Sequence, residues 1–463
     1  MKVVLLLSLI SCYSLASAIS LTSTTEFSNV TIHDTGLFLM ATIKTPTFKP
    51  DNKRMPVHLT LVIDRSGSMY DKMELVQKSI LFIANRLDSN DRLSLITFDD
   101  RVEVLFQNII PPQDKILLEG EVRSITSRGS TDLGSGLKSG LFSSFQSPSD
   151  LLKSVIVFTD GYANVGATHK PEFEQILREM KDEYGSLPKI HTFGYGEHDV
   201  GILTTISEIG NGRYYKLSNS RDIADAFSGC YGIELFTIAQ DAKLKVEMAD
   251  GVSFMHMSSS YERISDNEYL LGDLIMDERK DIVMQVNLRE VPNELQAQDI
   301  VKFTLSYKDV SGLENSIHHT ASVDRLLSNL SHKSNTDVKL QKLRTNHAQK
   351  LEQANKAASS GDYNTASKVL DEYKNSIEEE KEEEEEEEEE IKSFRNIMKS
   401  DAEKTKHASK DANSWNIARP QVTSIATEHS KQRASVASSM YSNYQQKELL
   451  QHHPDKFRED DEL

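Results

Sequence analysis

A chain of 463 residues is more than one ordinary core organises, and a hydrophobic share of 38% supplies packed cores for part of it while leaving the rest to solvent. The formal charge of −18 and the pI near 5.3 provide no basic face with which to displace counterions, which excludes a general nucleic-acid binder. Only two cysteines, Cys12 and Cys230, are present.

Lys2, the apolar run Val3 to Ile10 and the small residues Ala16-Ser17-Ala18 form a secretory signal pattern over residues 1–18. The run is too short to cross a bilayer, and no later segment is long enough, so no transmembrane segment is expected in the mature chain. Cys12 leaves with the signal, and Cys230 alone cannot make an intrachain disulfide. Asn29-Val30-Thr31 and Asn329-Leu330-Ser331 are glycosylation sequons suited to that route. Residues 19–55 hold one strand, with Leu37, Leu39, Ala41 and Ile43 on one face, followed by a linker from Pro46 to Pro56.

Residues 56–230 alternate strand and helix. Leu59 to Ile63 is an apolar strand that ends in Asp64-Arg65-Ser66-Gly67-Ser68. A helix over 73–87 carries Val76, Ile80, Ile83 and Leu87 on one face, and strands at 93–98 and 102–106 follow across Asp99-Asp100-Arg101. A helix near 115–125 leads to the loop Ser127 to Asp132, which opens another helix. The continuously apolar Val155 to Phe158 then ends in Thr159-Asp160-Gly161. A strand at 190–195, a helix at 200–209, a short strand at Tyr214-Tyr215 and a helix at 222–227 close the unit. The alternation implies an α/β fold, a doubly wound and mostly parallel sheet with helices on both faces.

From 231 to 325 the apolar period becomes two, as in Leu244, Val246, Met248 and again in Val301, Phe303, Leu305, Tyr307. That pattern is an antiparallel β domain, and the early strand at 37–43 is expected to pair with it, which makes the α/β unit an insertion. Residues 334–377 read as a helical hairpin resembling one tetratricopeptide unit, with His347 explained by its apolar stripe rather than as a metal ligand. Glu378 to Glu390, broken only by Lys381, is an acidic block, and 391–463 is expected as a polar, partly disordered tail. The terminal Asp460-Asp461-Glu462-Leu463 resembles the K-D-E-L and H-D-E-L retrieval signals, so the lumen of the endoplasmic reticulum and secretion are the two expected destinations.

In a doubly wound sheet the strand-end loops gather on one edge, with a crevice where strand order reverses. If the strands ending at Asp64 and Asp160 flank that point, Asp64, Ser66 and Ser68 meet Asp160, and the loop bearing Thr131 lies beside them. Carboxylates and hydroxyls alone suit a hard divalent cation, Mg²⁺, Mn²⁺ or Ca²⁺. The spacing D-x-S-x-S with a distant Thr and a T-D-G turn resembles the von Willebrand factor type A (VWA) domain with its metal-ion-dependent adhesion site, matched at Asp64, Ser66, Ser68, Thr131 and Asp160. The resemblance implies that Ser66, Ser68 and Thr131 act as hydroxyl ligands, that Asp64 and Asp160 act largely through water, and that Mg²⁺ is the first choice of cation. It also implies an open coordination position that takes an Asp or Glu carboxylate from a protein partner.

No enzymatic activity is expected. The acid/base carboxylate of an aspartyl-nucleophile phosphatase is replaced by Ser66, and no Walker loop, G-x-S-x-G, zinc spacing or dinucleotide fingerprint is present. Two functions remain open at this stage. One is cation-dependent capture of a protein in the secretory pathway. The other is a luminal Ca²⁺-binding or chaperone-like role carried by the acidic block.

Overall fold

A computed structural model describes residues 19–431 except 48–55, 149–150, 161, 197, 218–221, 223–225, 227–229, 231–235, 259–260, 310–311, 329–333 and 383–388. The signal segment, the Asn329 sequon, most of the helix expected at 222–227, the middle of the acidic block and the terminal Asp460 to Leu463 lie outside the described residues.

The α/β unit is organised on β4 (Val57–Asp64), every residue of which is buried. Around it stand β5 (Arg92–Phe98), β6 (Val102–Ile109), β7 (Leu152–Thr159), β8 (Lys189–Tyr195) and β9 (Asn211–Leu217), in the spatial order β6-β5-β4-β7-β8-β9. β4 pairs in parallel with β5 on one side and β7 on the other, while β6 is antiparallel to β5. Strand order therefore reverses between β4 and β7, and the loops after Asp64 and Thr159 flank the crevice. One face of the sheet packs on α1 (Met73–Ala84) and α2 (Lys115–Ser124), the other on α3 (Leu133–Phe145), α4 (Lys170–Tyr184) and α5 (Val200–Ile209). Burial on both faces accounts for the unbroken apolar runs in β4 and β7.

Helix α1 stops short of Leu87. Arg86 N donates to Ile83 O and Leu87 N to Ala84 O, so the chain leaves the helix through tighter three-residue turns while Leu87 stays buried. Helix α3 lies close on the sheet because Gly136 and Gly140 leave room. A Cβ at Gly140 would stand 2.3 Å from Val62 Cγ2.

The β region is a two-sheet sandwich. One sheet runs β1-β3-β14-β11, from Ser20–Thr25, Gly36–Lys44, Arg279–Leu288 and Val252–Met257. The other runs β12-β13-β10-β15-β16-β2, from Glu262–Ser265, Glu268–Ile275, Thr237–Met248, Leu295–Asp309, Glu314–Leu326 and Asn29–Thr31. Strand β3 pairs antiparallel with β14, Met40 opposite Val283, so a strand from before the α/β unit completes a sheet built after it. Inward residues of both sheets, among them Leu37, Leu39, Leu244, Val286 and Phe303, form a common core.

The C-terminal region differs from the expected hairpin and tail. Helices α6 (Thr336–Ser359) and α7 (Tyr363–Glu382) are joined by α8 (Glu389–Ala408) and α9 (Ala412–Lys431), and the four share one core. Residues 391–431 are thus folded helix, in place of the polar tail expected there. The physical reason is a narrow stripe: Ile391, Phe394, Met398 and Ala402 recur at helical spacing on α8, and Trp415, Val422 and Ala426 on α9, within otherwise polar sequence. The bundle is tied to the sandwich through Val338, packed with Met40 and Val283, and through Gln341 Nε2, which donates to Asp281 O at 2.8 Å. No helix among the described residues is long and apolar enough to cross a membrane.

Candidate metal centre

Asp64 ends β4 with its carboxylate buried and held from both sides. Its Oδ1 accepts from Ser66 N at 2.8 Å and its Oδ2 from Thr159 Oγ1 at 2.5 Å. The first bond bends the chain into the short 3₁₀ turn Gly67–Met69, which brings Ser66 Oγ within 3.1 Å of Ser68 Oγ. Ser68 Oγ then donates to Asp160 Oδ1 at 2.8 Å, across the crevice from the end of β7. The structure therefore brings Asp64, Ser66, Ser68 and Asp160 into one hydrogen-bonded cluster, and of these Ser68 is exposed to solvent. Gly161, the last residue of the T-D-G turn, lies outside the described residues.

Thr131 arrives on a third loop. Gly67 N donates to Gly129 O at 3.1 Å and Arg128 N to Arg65 O, which stitches this loop to the Ser66 turn. Gly129 is required there: its φ is +70°, and a Cβ would meet Asp100 Oδ1 at 2.4 Å. Thr131 itself is buried, its N–H bonded to Asn164 Oδ1 at 2.9 Å. Asp132 caps α3 by accepting from Ser135 N at 3.0 Å.

A charged brace behind these loops was not foreseen from sequence. Asp99 Oδ2 accepts from Arg65 Nε and Arg128 Nε, both at 2.9 Å, and Arg65 also reaches Glu103 at 2.8 Å. Asp99 N–H is bonded to Arg101 O, and Asp99 O accepts from Asp132 N at 2.9 Å, so a single residue ties the Arg65 turn to the loop that carries Thr131. Lys72 was likewise missed. Its ammonium stands 2.8 Å from Asp160 Oδ2 and 3.1 Å from Ser68 O, and no motif spacing marks it beyond its place on the turn after Ser68.

Electrostatics give the fit of a cation. Burial pushes the Asp64 carboxyl up to about 6. Hydrogen bonds from Thr159 and Ser66 work against that rise, and the neighbouring Asp160 charge adds to it. Burial lowers the affinity of Lys72 for its proton, but Asp160 and Asp71 outweigh it and hold the ammonium above its usual range. Two carboxylates bridged by hydroxyls, with a positive charge already drawn to one of them, form a donor set that fits a hard divalent cation.

Comparison with known proteins identifies the α/β unit. The model of the von Willebrand factor type A domain matches residues 58–228. Those residues form a VWA domain. The uncharacterized protein sll0103 of Synechocystis sp. is 26% identical over 178 residues, 38% of this chain and 41% of that protein, so the match spans about two fifths of that relative's length. Among solved structures, a von Willebrand factor type A protein from Catenulispora acidiphila aligns over 84% of this chain and 91% of its own, with TM-score 0.57 and 13% identity. The ArnB paralog VWA2 from Sulfolobus acidocaldarius aligns over 89% of this chain and 98% of its own, with TM-score 0.53 and 16% identity. At those identities the likeness is one of fold, and it extends well beyond the VWA domain. VWA domains in general serve protein interaction.

Proposed function

We propose that this VWA domain captures a protein partner through a divalent cation, Mg²⁺ first among candidates, held by Asp64, Ser66, Ser68, Thr131 and Asp160. The reading rests chiefly on the cluster of Ser66, Ser68, Asp64 and Asp160 at the reversal of strand order, open to solvent at Ser68. The bound cation supplies a Lewis-acidic point that accepts a carboxylate from an Asp or Glu of the partner. This chain's residues do the rest. Asp64 is fixed by Thr159 and orients the Ser66 turn, Asp160 positions Ser68, Asp99 ties the Thr131 loop to the Arg65 turn, and Asn164 ties it to the chain after Asp160. Tyr70 and Tyr162, 83% and 58% exposed, follow the two acidic loops closely in sequence and offer the rigid aromatic surface that interface centres favour. The proposed role is binding, with the hydroxyls and carboxylates of the cluster acting as ligands of the cation.

The deciding experiment is capture from a luminal extract by the full chain in Mg²⁺, in EDTA and as Asp64→Ala. Release of the same partner in the last two supports the reading, and capture that persists in EDTA overturns it. The proposed setting is the secretory pathway, supported by the residue 1–18 pattern and the terminal Asp460 to Leu463. Removing the last four residues should send a luminal chain into the medium, and unchanged distribution would argue against retrieval.

A further inference from the structure

The helical bundle buries a second cluster that the VWA domain does not use. His347 on α6, Asp401 on α8 and His429 on α9 place one ligand atom each within 4.8 Å of one another, at 0%, 9% and 3% exposure. The two imidazoles converge on one oxygen: His347 Nε2 and His429 Nε2 each lie 3.5 Å from Asp401 Oδ2. Their rings meet edge to face, 67° apart with centroids 4.9 Å apart, so the nitrogens approach that oxygen from different directions.

Those distances favour a shared cation over direct hydrogen bonds. An imidazole bonded to a carboxylate closes to about 2.7–2.9 Å. Two ligands on a tetrahedral ion with bonds of about 2.0–2.1 Å stand roughly 3.3 Å apart, near the separation seen here. On its other side His347 Nδ1 meets Tyr373 Oη at 3.1 Å, an outer partner of the kind that orients a ligating imidazole and leaves Nε2 for the metal. Leu351, Phe394, Trp415 and Val422 belong to the same core, an apolar surround that suits a structural ion.

We propose that His347, Asp401 and His429 form a site for a divalent transition metal of the zinc class, which staples α6, α8 and α9 together. Two imidazole nitrogens and one carboxylate select zinc over Mg²⁺ or Ca²⁺, which take oxygen cages. The site is independent of the VWA reading, since it shares no residue with it.

The test uses the full chain carrying Asp64→Ala, so that the sheet-edge cluster is impaired. After gel filtration in micromolar zinc, metal analysis should find one zinc per chain, and Co²⁺ in its place should give the strong visible bands of four-coordinate nitrogen and oxygen ligation. Adding His429→Gln should lower the affinity on the order of 100-fold and remove those bands. If His429→Gln loses its helical signal, the cobalt spectrum of the intact bundle decides. Four-coordinate bands support the site, and only the weak bands of octahedral oxygen ligation overturn it. Absence of bound zinc at micromolar metal, or zinc bound equally by the folded His429→Gln chain, overturns it as well.

Discussion

At the sheet edge Asp64, Ser66, Ser68 and Asp160 offer oxygens alone, on loops, with Ser68 open to water. In the bundle His347, Asp401 and His429 offer two nitrogens and an oxygen, on three helices, within an apolar core. On the proposed reading, the first arrangement would leave a cation partly hydrated and free to exchange a water for a partner's carboxylate. The second would hold its ion by three protein ligands on three helices, away from solvent, so binding energy would become folding energy. If both proposals hold, one chain separates recognition from stapling by ligand chemistry and by depth.

The largest effect expected from that contrast is on bundle stability. Zinc at about a thousand times its dissociation constant should stabilise the folded bundle by about 4 kcal/mol. Helical circular dichroism during urea unfolding reads this directly. Mg²⁺ at the same excess should leave the helical transition in place, and equal stabilisation by the two ions would erase the distinction.

The sheet-edge site should instead show itself through protons, in the metal-free chain. Asp64 is raised from 3.8 to about 6, so its contribution is present below 3.8 and is lost as pH rises through 6. His58, buried on the same strand with Nε2 2.9 Å from Ser94 Oγ, is lowered to about 4 from 6.5, chiefly by burial. Its contribution is present above 6.5 and is lost as pH falls through 4. Each amounts to about 3 kcal/mol and they oppose one another, so the parent VWA transition should be nearly level between pH 4 and 6.5. Asp64→Asn should then show stability rising by about 3 kcal/mol across the window, and His58→Gln should show it falling by a similar amount. Level profiles in both variants would mean that neither group is as buried in solution as it is here.

How much of each site could be read beforehand follows from the same difference. Asp64, Ser66, Ser68 and Asp160 stand at or just after the ends of apolar strands, and strand-end loops have a fixed meeting place, so the meeting of these four was legible, while Thr131 lies on the loop between α2 and α3 and is held there by Asn164. Lys72, Thr159 and the Asp99 brace were not legible, because their roles depend on side-chain directions that no spacing encodes. In the bundle His347 is buried on the apolar stripe that the sequence assigns it to, but the sequence reading sets it aside as a metal ligand, which the proposal reverses. Its partners Asp401 and His429 lie in sequence whose sparse apolar residues had been read as tail. Without α8 and α9 there was no neighbour for His347 to meet.

A packing change can sharpen the contrast further. Gly140→Val drives a side chain into Val62, a misfit of about 2 kcal/mol, and pushes α3 away from the sheet. Because Thr131 immediately precedes the capped start of α3, divalent-cation binding at the sheet edge should weaken while zinc uptake by the bundle stays constant. Loss of both together would show that the two regions fold as one cooperative unit.

The smallest expected effect concerns Lys72, and its sign carries the information. The ammonium lies 2.8 Å from Asp160 Oδ2 and so competes for a carboxylate that a divalent cation would share. Its side chain is 26% exposed, so water screens the repulsion, and removing the charge should favour the cation by only about 1 kcal/mol. Lys72→Met should therefore bind Mn²⁺ roughly fivefold more tightly by calorimetry, with zinc uptake unchanged. Weaker Mn²⁺ binding would mean that the ammonium instead holds Asp160 in position for Ser68, and Lys72→Arg separates the two cases. If charge competition governs, arginine keeps the parent affinity. If placement of Asp160 governs, the bulkier guanidinium shifts that carboxylate and weakens binding, although the charge is conserved.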